Sequence, residues 1–82
     1  MYYYRRLRDM REDNDLTQKE VAAYLGIDQR VYSNYETGKR EIPVHLLIRL
    51  AQLYSTSTDY LLDITDSSSP YQNKYIRKNK LL

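Results

Sequence analysis

A twenty-residue stretch that begins at Thr17, TQKEVAAYLGIDQRVYSNYE, predicts two short helices joined by a tight turn. Thr17 and Glu20 stand three residues apart, the spacing at which a hydroxyl and a carboxylate cap the start of a helix reciprocally. Gly26 can end that helix, because glycine adopts the left-handed conformation without steric cost. Asp28 is a strong cap for the following helix, which Gly38, the second of only two glycines, ends in turn. The rest of the chain must therefore pack around a compact helical hairpin.

The second helix of this hairpin has two chemically distinct sides. Its inner side is predicted to carry Val31, Tyr32 and Tyr35. Its outer side is predicted to carry Gln29, Arg30, Ser33 and Asn34. A helix, a three-residue turn with a glycine, and a second helix with polar residues outward form the helix-turn-helix pattern, in which the second helix enters the major groove of DNA.

Three further helices are predicted, which makes the fold class all-α. The first spans about residues 2 to 13. One of its faces is predicted to carry Tyr3, Leu7, Met10 and Asn14. Its other positions are predicted to form a solvent-exposed face laced with salt bridges: Arg5, Arg6, Arg8, Asp9, Glu12 and Asp13. A wide apolar face predicts a fourth helix from Pro43 to about Tyr54, and Ser57 or Thr58 can cap a short fifth helix.

The chain is short enough for one domain only, since 82 residues approach the lower size limit for an independent core. We expect residues 1–66 to form this five-helix domain. Residues 67–82 begin with a serine linker and continue as a basic segment. That tail is predicted to be either a sixth helix starting at Ser69 and Pro70 or a frayed, disordered end.

Charge is distributed unevenly along the chain. The whole sequence has a formal net charge of +2. Residues 1–66 contain nine Lys or Arg and eleven Asp or Glu, which is a net charge of −2, whereas residues 67–82 contain four basic residues and no acidic one. Any affinity of the folded domain for nucleic acid must therefore come from a local patch rather than from overall charge.

Composition argues against several classes of protein. The chain has no Cys and a single His, His45, which argues against a disulfide framework, a metal site and a catalytic triad. No apolar run approaches the ~20 residues that a membrane span needs. The N-terminal sequence MYYYRR lacks the order of charged and then apolar residues that marks a signal peptide. We therefore expect a cytoplasmic protein that is not an enzyme, spans no membrane and uses no metal or cofactor.

Several short residue groups resemble a known family. They are Thr17-Gln18, Val21-Ala22, Leu25-Gly26-Ile27, Tyr32-Ser33, Tyr35-Glu36-Thr37-Gly38-Lys39-Arg40 and Ile42-Pro43. At these positions the chain closely resembles the Xre/Cro-type, phage-repressor-like family of helix-turn-helix transcriptional regulators. The segment LLIRLAQLYSTSTDYLL, residues 46–62, resembles the fourth and fifth helices of that family. The resemblance covers about residues 2–64 and implies a compact, five-helix, lambda-repressor-like DNA-binding domain.

The resemblance also implies roles for single residues. The positions that face bases or the nearby backbone are matched by Gln29, Arg30, Ser33 and Asn34. The positions that contact the DNA backbone are matched by Gln18, Lys39 and Arg40. Arg11 and Glu36 match an arginine–carboxylate pair that ties the first helix to the third. The family further implies a homodimer on a two-fold-symmetric operator in double-stranded DNA.

Side-chain chemistry supports these roles, because glutamine can pair with adenine and arginine with guanine through two hydrogen bonds each. The simpler alternative is that Gln29 and Arg30 are solvated first-turn residues and that Ser33 is a filler. The predicted function is a sequence-specific, DNA-binding transcriptional regulator, a repressor rather than an activator, that reads the major groove with helix 28–36. The alternative is a protein-interaction or antitoxin-like module whose DNA binding is secondary and whose basic tail orders on a partner.

Overall fold

This computed structural model describes residues 2–70, and that part of the chain forms five helices. They are α1 (Arg5–Asp13), α2 (Gln18–Leu25), α3 (Gln29–Glu36), α4 (Val44–Leu53) and α5 (Thr58–Leu61). Residues 2–70 contain no strand, so the predicted all-α class with five helices is confirmed. Ser69 and Pro70 are exposed and non-helical, and the remainder of the predicted tail lies outside the described residues.

The predicted caps of the hairpin are confirmed. The Thr17 hydroxyl accepts the Glu20 amide hydrogen at 3.1 Å, and the Glu20 carboxylate accepts the Thr17 amide hydrogen at 2.9 Å. Gly26 ends α2 in the left-handed conformation with φ of +74°. The Asp28 carboxylate accepts the Arg30 amide hydrogen at 2.8 Å and so starts α3. These local bonds fix where α2 stops and α3 begins, and therefore how α3 projects from the domain.

The core receives a side chain from each helix. The largest fully buried side chains are Tyr32, Leu7, Leu50, Leu61 and Val21. Burying a side chain of this size stabilises the fold by roughly 1.5–3 kcal/mol.

Helix α4 begins one residue after Pro43, and Ser57 caps α5 by accepting the Tyr60 amide hydrogen at 3.0 Å.

The predicted start of the first helix is wrong. Helix α1 begins at Arg5 rather than near residue 2, and Tyr3, which was expected on the packed face, is 55% exposed. The physical reason is a contact with a distant part of the chain. The Tyr2 amide donates a hydrogen bond to the Gly38 carbonyl at 3.3 Å, which ties the non-helical residues 2–4 to the loop after α3.

Two predictions about single side chains are also wrong. Arg6 was expected on the solvent-exposed face, but it is buried because its guanidinium donates hydrogen bonds to the carbonyls of Tyr60 and Thr65. Val31 was expected on the inner side of α3 but is 37% exposed. The buried residues of α3 are Tyr32 and Glu36, and we call the side of the helix that they share its buried line. At 3.6 residues per turn, Val31 lies about 100° around the helix from Tyr32.

Candidate nucleic-acid interface

The outward side of α3 carries two polar residues one turn apart. Tyr32 and Glu36 are buried and define the inward side of this helix. Arg30 and Asn34 therefore lie on the opposite side, because they are displaced from that line by about half a turn. Arg30 is exposed and Asn34 is half-buried. A helix with its side chains is about 10–12 Å wide, which fits a major groove about 12 Å wide.

An ion pair fixes the last turn of α3. Arg11 donates from Nε to Glu36 Oε2 at 2.8 Å and from Nη2 to Oε1 at 2.9 Å. Gln18 Nε2 donates to the same Oε1 at 3.2 Å, and Arg11 Nη1 donates to the Leu16 carbonyl at 2.8 Å. Only 13% of the Arg11 side chain and 3% of the Glu36 side chain are exposed. One carboxylate thus joins α1 and the first turn of α2 to α3.

Glu36 is ionised in this setting. Burial raises the pKa of its carboxyl, but the hydrogen bonds from Arg11 and Gln18, together with the neighbouring Tyr32 phenol, outweigh burial and hold the pKa below its usual value. The hydrogen bonds with Glu36 raise the pKa of Arg11. Both partners therefore carry full charge at neutral pH, and the pair retains its strength there.

Two phenols lie near this buried pair. Burial raises the pKa of Tyr32, and it raises the pKa of Tyr54 to about 12. Within residues 2–70 neither hydroxyl has a hydrogen-bond partner of good geometry. Both rings are buried and therefore act as core aromatics rather than as surface groups that could stack on a base.

A cleft of about 420 Å³ lies along one side of α3. It is lined by Gln18, Asp28, Gln29, Arg30 and Ser33, and we call it the Gln18 cleft. It joins the start of α2 to the first turn and a half of α3, so the two helix starts present amide hydrogens close to it. Helix starts favour phosphate groups, although the Asp28 carboxylate opposes an anion there.

A second cleft of about 440 Å³ lies on the other side of α3, beside its last turn and the loop that follows. It is lined by Tyr2, Tyr35, Lys39, Arg40 and Glu41, and we call it the Tyr2 cleft. The amides of Lys39 and Arg40 both donate to the Asn34 carbonyl, at 2.9 and 3.1 Å. This bonding folds the loop tightly against the end of α3, so that two exposed cationic side chains stand beside the helix.

The predicted site residues lie together on this surface. Gln29, Arg30 and Ser33 are on α3 beside the Gln18 cleft, Asn34 lies on the outward side, and Lys39 and Arg40 line the Tyr2 cleft. Gln18 lines its cleft while its amide also braces Glu36. Arg11 and Glu36 lie behind α3 as its support. Contact of any of these residues with DNA stays a prediction.

Two contributors to this surface have no clear signal in the sequence. Tyr2 reaches the site only because residues 2–4 are bound at Gly38. Arg49 of α4 donates to the carbonyls of Leu25 and Tyr24 at the end of α2, and its guanidinium lies 4.9 Å from the centre of the Tyr24 ring. A cation at the carboxyl end of a helix offsets the dipole there, so Arg49 holds α2 in position beneath α3.

The described part of the chain, residues 2–70, has no helix long and apolar enough to cross a membrane. The same residues contain no cluster of three or more side chains suited to holding a metal ion.

Comparison with known proteins places this arrangement in a family. A family model described as helix-turn-helix matches residues 7–61. The chain is 39% identical to the HTH-type transcriptional regulator YobD of Bacillus subtilis, over 94% of this chain and 66% of that regulator. It is 29% identical to the cryptic phage CTXphi transcriptional repressor RstR of Vibrio cholerae, over 94% of this chain and 68% of the repressor. The chain belongs to the Xre/Cro-type helix-turn-helix family.

The fold is also found in a solved structure. The crystal structure of a transcriptional regulator from Listeria innocua matches 92% of this chain and 68% of that one, with a TM-score of 0.68 and 21% identity. This likeness supports the five-helix fold alone. The chain spans about two thirds or less of the length of the curated relatives it matches.

Proposed function

We propose that this protein is a sequence-specific transcriptional regulator that represses by binding double-stranded DNA, with α3 in the major groove. The observation that carries the proposal is the placement of Arg30 and Asn34 on the outward side of α3, with one polar cleft on each side of the helix. A helix in the major groove has a sugar–phosphate backbone on each side, and the polar lining of the two clefts supports assigning one cleft to each backbone.

Base reading is assigned to the outward residues. Arginine can donate two hydrogen bonds to guanine O6 and N7, and asparagine or glutamine can pair with adenine N6 and N7. Arg30 forms no ion pair with a carboxylate among residues 2–70, so its guanidinium is available to a base. Because residues 1–66 carry a net charge of −2, specific contacts rather than bulk attraction carry the affinity.

The relatives support regulation as the role. YobD is named a transcriptional regulator and RstR a transcriptional repressor. A repressor needs only to occupy its operator, which a DNA-binding domain of this size can do. The same proposal includes that the protein acts in the cytoplasm and that it binds DNA without catalysing a reaction.

Selection of bound sequences from a random duplex pool tests the proposal. We expect the wild-type chain to enrich one short sequence, and Arg30→Ala to lose preference at one base pair at a cost of about 1–3 kcal/mol. Arg5→Ala is the matched control, because Arg5 is an exposed arginine on α1 that pairs with Asp9 and Asp63. The proposal fails if no sequence is enriched, or if both variants select the same sequence as the wild type.

We also propose a homodimer on a two-fold-symmetric operator with half-sites about one helical turn apart. The support is an exposed apolar pair on α4: Val44 is 70% exposed and Ile48, one turn later, is 45% exposed. Ile48 also borders a groove that reaches Thr56 and Pro70. Such a surface is suited to a partner subunit rather than to water.

Ile48→Glu tests the dimer by sedimentation with the full operator and with a half-site duplex. We expect cooperative binding to the full operator to be lost and half-site affinity to be retained. Ile64→Glu places the same charge at another exposed isoleucine, which is 68% exposed, and we expect it to leave both unchanged. A selected sequence without two-fold symmetry, together with one protein per duplex, contradicts the dimer while leaving the DNA-binding proposal intact.

A further inference from the structure

The N-terminal residues 2–4 form part of the α3 surface. The Tyr2 amide is bonded to the Gly38 carbonyl, and the Tyr3 backbone passes so close to Gly38 that an added Cβ would lie 2.9 Å from it. Gly38 therefore provides both a left-handed turn, with φ of +82°, and the space in which this segment lies. The contact places Tyr2 beside a loop with two cationic side chains.

The Tyr2 cleft has the chemistry of an anion site. Lys39 and Arg40 contribute two positive charges, and neither is paired with a carboxylate within residues 2–70. Glu41 contributes one negative charge, which leaves the cleft with a net charge of +1. Tyr2 and Tyr35 add phenol groups, which donate hydrogen bonds to phosphate oxygens in protein–DNA interfaces.

We propose that Tyr2 completes a phosphate-binding site in the Tyr2 cleft, with its hydroxyl donating a hydrogen bond to a backbone phosphate that Lys39 and Arg40 neutralise. This inference rests on the proposed function and adds the N-terminal segment to the DNA-contacting surface. Tyr2 is 43% exposed and lines the cleft from outside the helix-turn-helix, where its amide is bonded to the loop that follows α3.

The position of the cleft relative to α3 identifies which backbone it meets. Ser33 faces the Gln18 cleft and Tyr35 faces the Tyr2 cleft. These two residues flank the buried line through Tyr32 and Glu36 on opposite sides, at about 100° per residue. With α3 in the groove, the Gln18 cleft and the Tyr2 cleft therefore lie against the two opposite backbones that border it.

The experiment compares Tyr2→Phe with wild type on a duplex of about 30 base pairs recovered by selection from a random pool. The variant removes one hydroxyl and retains the ring. We expect affinity to fall about threefold to tenfold, with the same loss on selected and scrambled duplexes, because a phosphate contact carries no sequence information. Tyr3→Phe is the matched control, since Tyr3 is exposed but does not line the cleft, and we expect it to bind as wild type does.

Neutral methylphosphonate substitution then identifies the phosphate. Placed one at a time along the duplex, it is expected to weaken wild-type binding strongly at the phosphate in the cleft. On that duplex the loss from Tyr2→Phe should shrink to less than about twofold, because the charge-assisted hydrogen bond is gone.

Three outcomes overturn the inference while the proposed function stands: Tyr2→Phe binds as wild type does, Tyr3→Phe loses as much affinity as Tyr2→Phe, or Tyr2→Phe changes the selected sequence. If the wild-type chain enriches no sequence and prefers no duplex, the proposed function fails and this inference fails with it. Circular dichroism of both variants excludes a difference in folding as the cause.

Discussion

The Arg11 guanidinium donates two hydrogen bonds, of 2.8 and 2.9 Å, to the Glu36 carboxylate. This pair joins α1 to the last turn of α3. Only 3% of the Glu36 side chain is exposed, so water cannot compensate its charge and the Arg11 guanidinium must do so. Removing one partner leaves a buried charge without compensation.

Arg11→Met is expected to lower the free energy of unfolding by about 3 kcal/mol, because it leaves the Glu36 carboxylate buried and unpaired. Equilibrium urea unfolding measures the change. The double variant with Glu36→Leu should recover part of the loss, since no lone charge then remains. Arg8→Met is the control, because Arg8 pairs with Glu12 on the exposed surface of the same helix, and an equal loss there would contradict the importance of burial.

Stability is expected to fall at acid pH through Glu36. Its pKa in the folded state lies below the ordinary value of 4.5, so the ionised form stabilises the fold above that value. The contribution is lost as pH falls below about 4.5 and through the folded-state pKa. Glu36→Gln should be less stable than wild type at pH 7 and should show a flatter decline in unfolding free energy below pH 4.5. Glu12→Gln, which neutralises an exposed carboxylate on α1, is the control, and a flattening as large as that of Glu36→Gln would contradict the role of the buried pair.

Local features of this fold could be predicted from the sequence because they depend on near neighbours. The caps at Thr17, Gly26 and Asp28 each need residues within about four positions, and all three are present. The family resemblance predicted that Arg11 pairs with Glu36, although the two residues are 25 positions apart in the sequence. Composition and periodicity alone do not indicate which residues pair across such a sequence separation.

Long-range contacts of polar groups could not be predicted in this way. Arg6 looked like a solvent-exposed cation because its neighbours are charged, yet Asp63 and Asp66 fold back to meet it at 3.1 Å. Arg49 was not predictable for a different reason: its partners at the end of α2 are backbone carbonyls, which have no sequence signature. For the candidate site, helical periodicity and the family resemblance predicted the outward positions of Arg30 and Asn34, whereas Gln29 and Ser33, expected on the same side, lie at the flank of α3 beside the Gln18 cleft. The contribution of Tyr2 was not predictable, because it requires the docking of residues 2–4 at Gly38.

Arg6→Met is expected to destabilise the domain by about 2 kcal/mol, since the carbonyls of Tyr60 and Thr65 lose their buried donor. The loss of the guanidinium stacked 4.0 Å over the Tyr60 ring adds to the effect. Thermal and urea unfolding measure it. Arg5→Met removes the neighbouring charge, whose side chain is 55% exposed, and it should change the unfolding midpoint much less. Equal shifts of the unfolding midpoint for Arg6→Met and Arg5→Met would show that the buried contacts of Arg6 add nothing to the stability of the domain.

Asp28→Ser is expected to strengthen DNA binding about threefold, because it removes a negative charge from the Gln18 cleft where a phosphate would lie. Serine caps a helix nearly as well as aspartate, so α3 should start at the same residue. Fluorescence anisotropy at two salt concentrations measures the change, which should be larger at low salt. Asp59→Asn removes the same charge from α5, which packs on α1 and α4, and should leave affinity unchanged. Weaker binding by Asp28→Ser would place the phosphate elsewhere.

Gly38→Ala and Gly26→Ala are expected to differ in cost although both glycines have positive φ, of +82° and +74°. At Gly26 no atom lies within 4 Å of an added Cβ, so the alanine variant should lose only the left-handed backbone cost of about 1–2 kcal/mol. At Gly38 the added Cβ would also meet the Tyr3 backbone at 2.9 Å, and the segment must move. Urea unfolding should therefore show the larger loss for Gly38→Ala.

Deleting residues 1–3 removes the clash with the Tyr3 backbone. It therefore separates the cost of that clash from the cost of the left-handed backbone at Gly38. In the shortened chain, Gly38→Ala and Gly26→Ala should lower the unfolding free energy by similar amounts, because only the backbone cost remains at each glycine. In the full chain, Gly38→Ala should also weaken DNA binding at least as much as Tyr2→Phe, because it displaces Tyr2 from its cleft. If the alanine variants cost the same in the full chain, the close approach of Tyr3 to Gly38 does not contribute to the fold, and the position of Tyr2 beside Lys39 loses its structural basis.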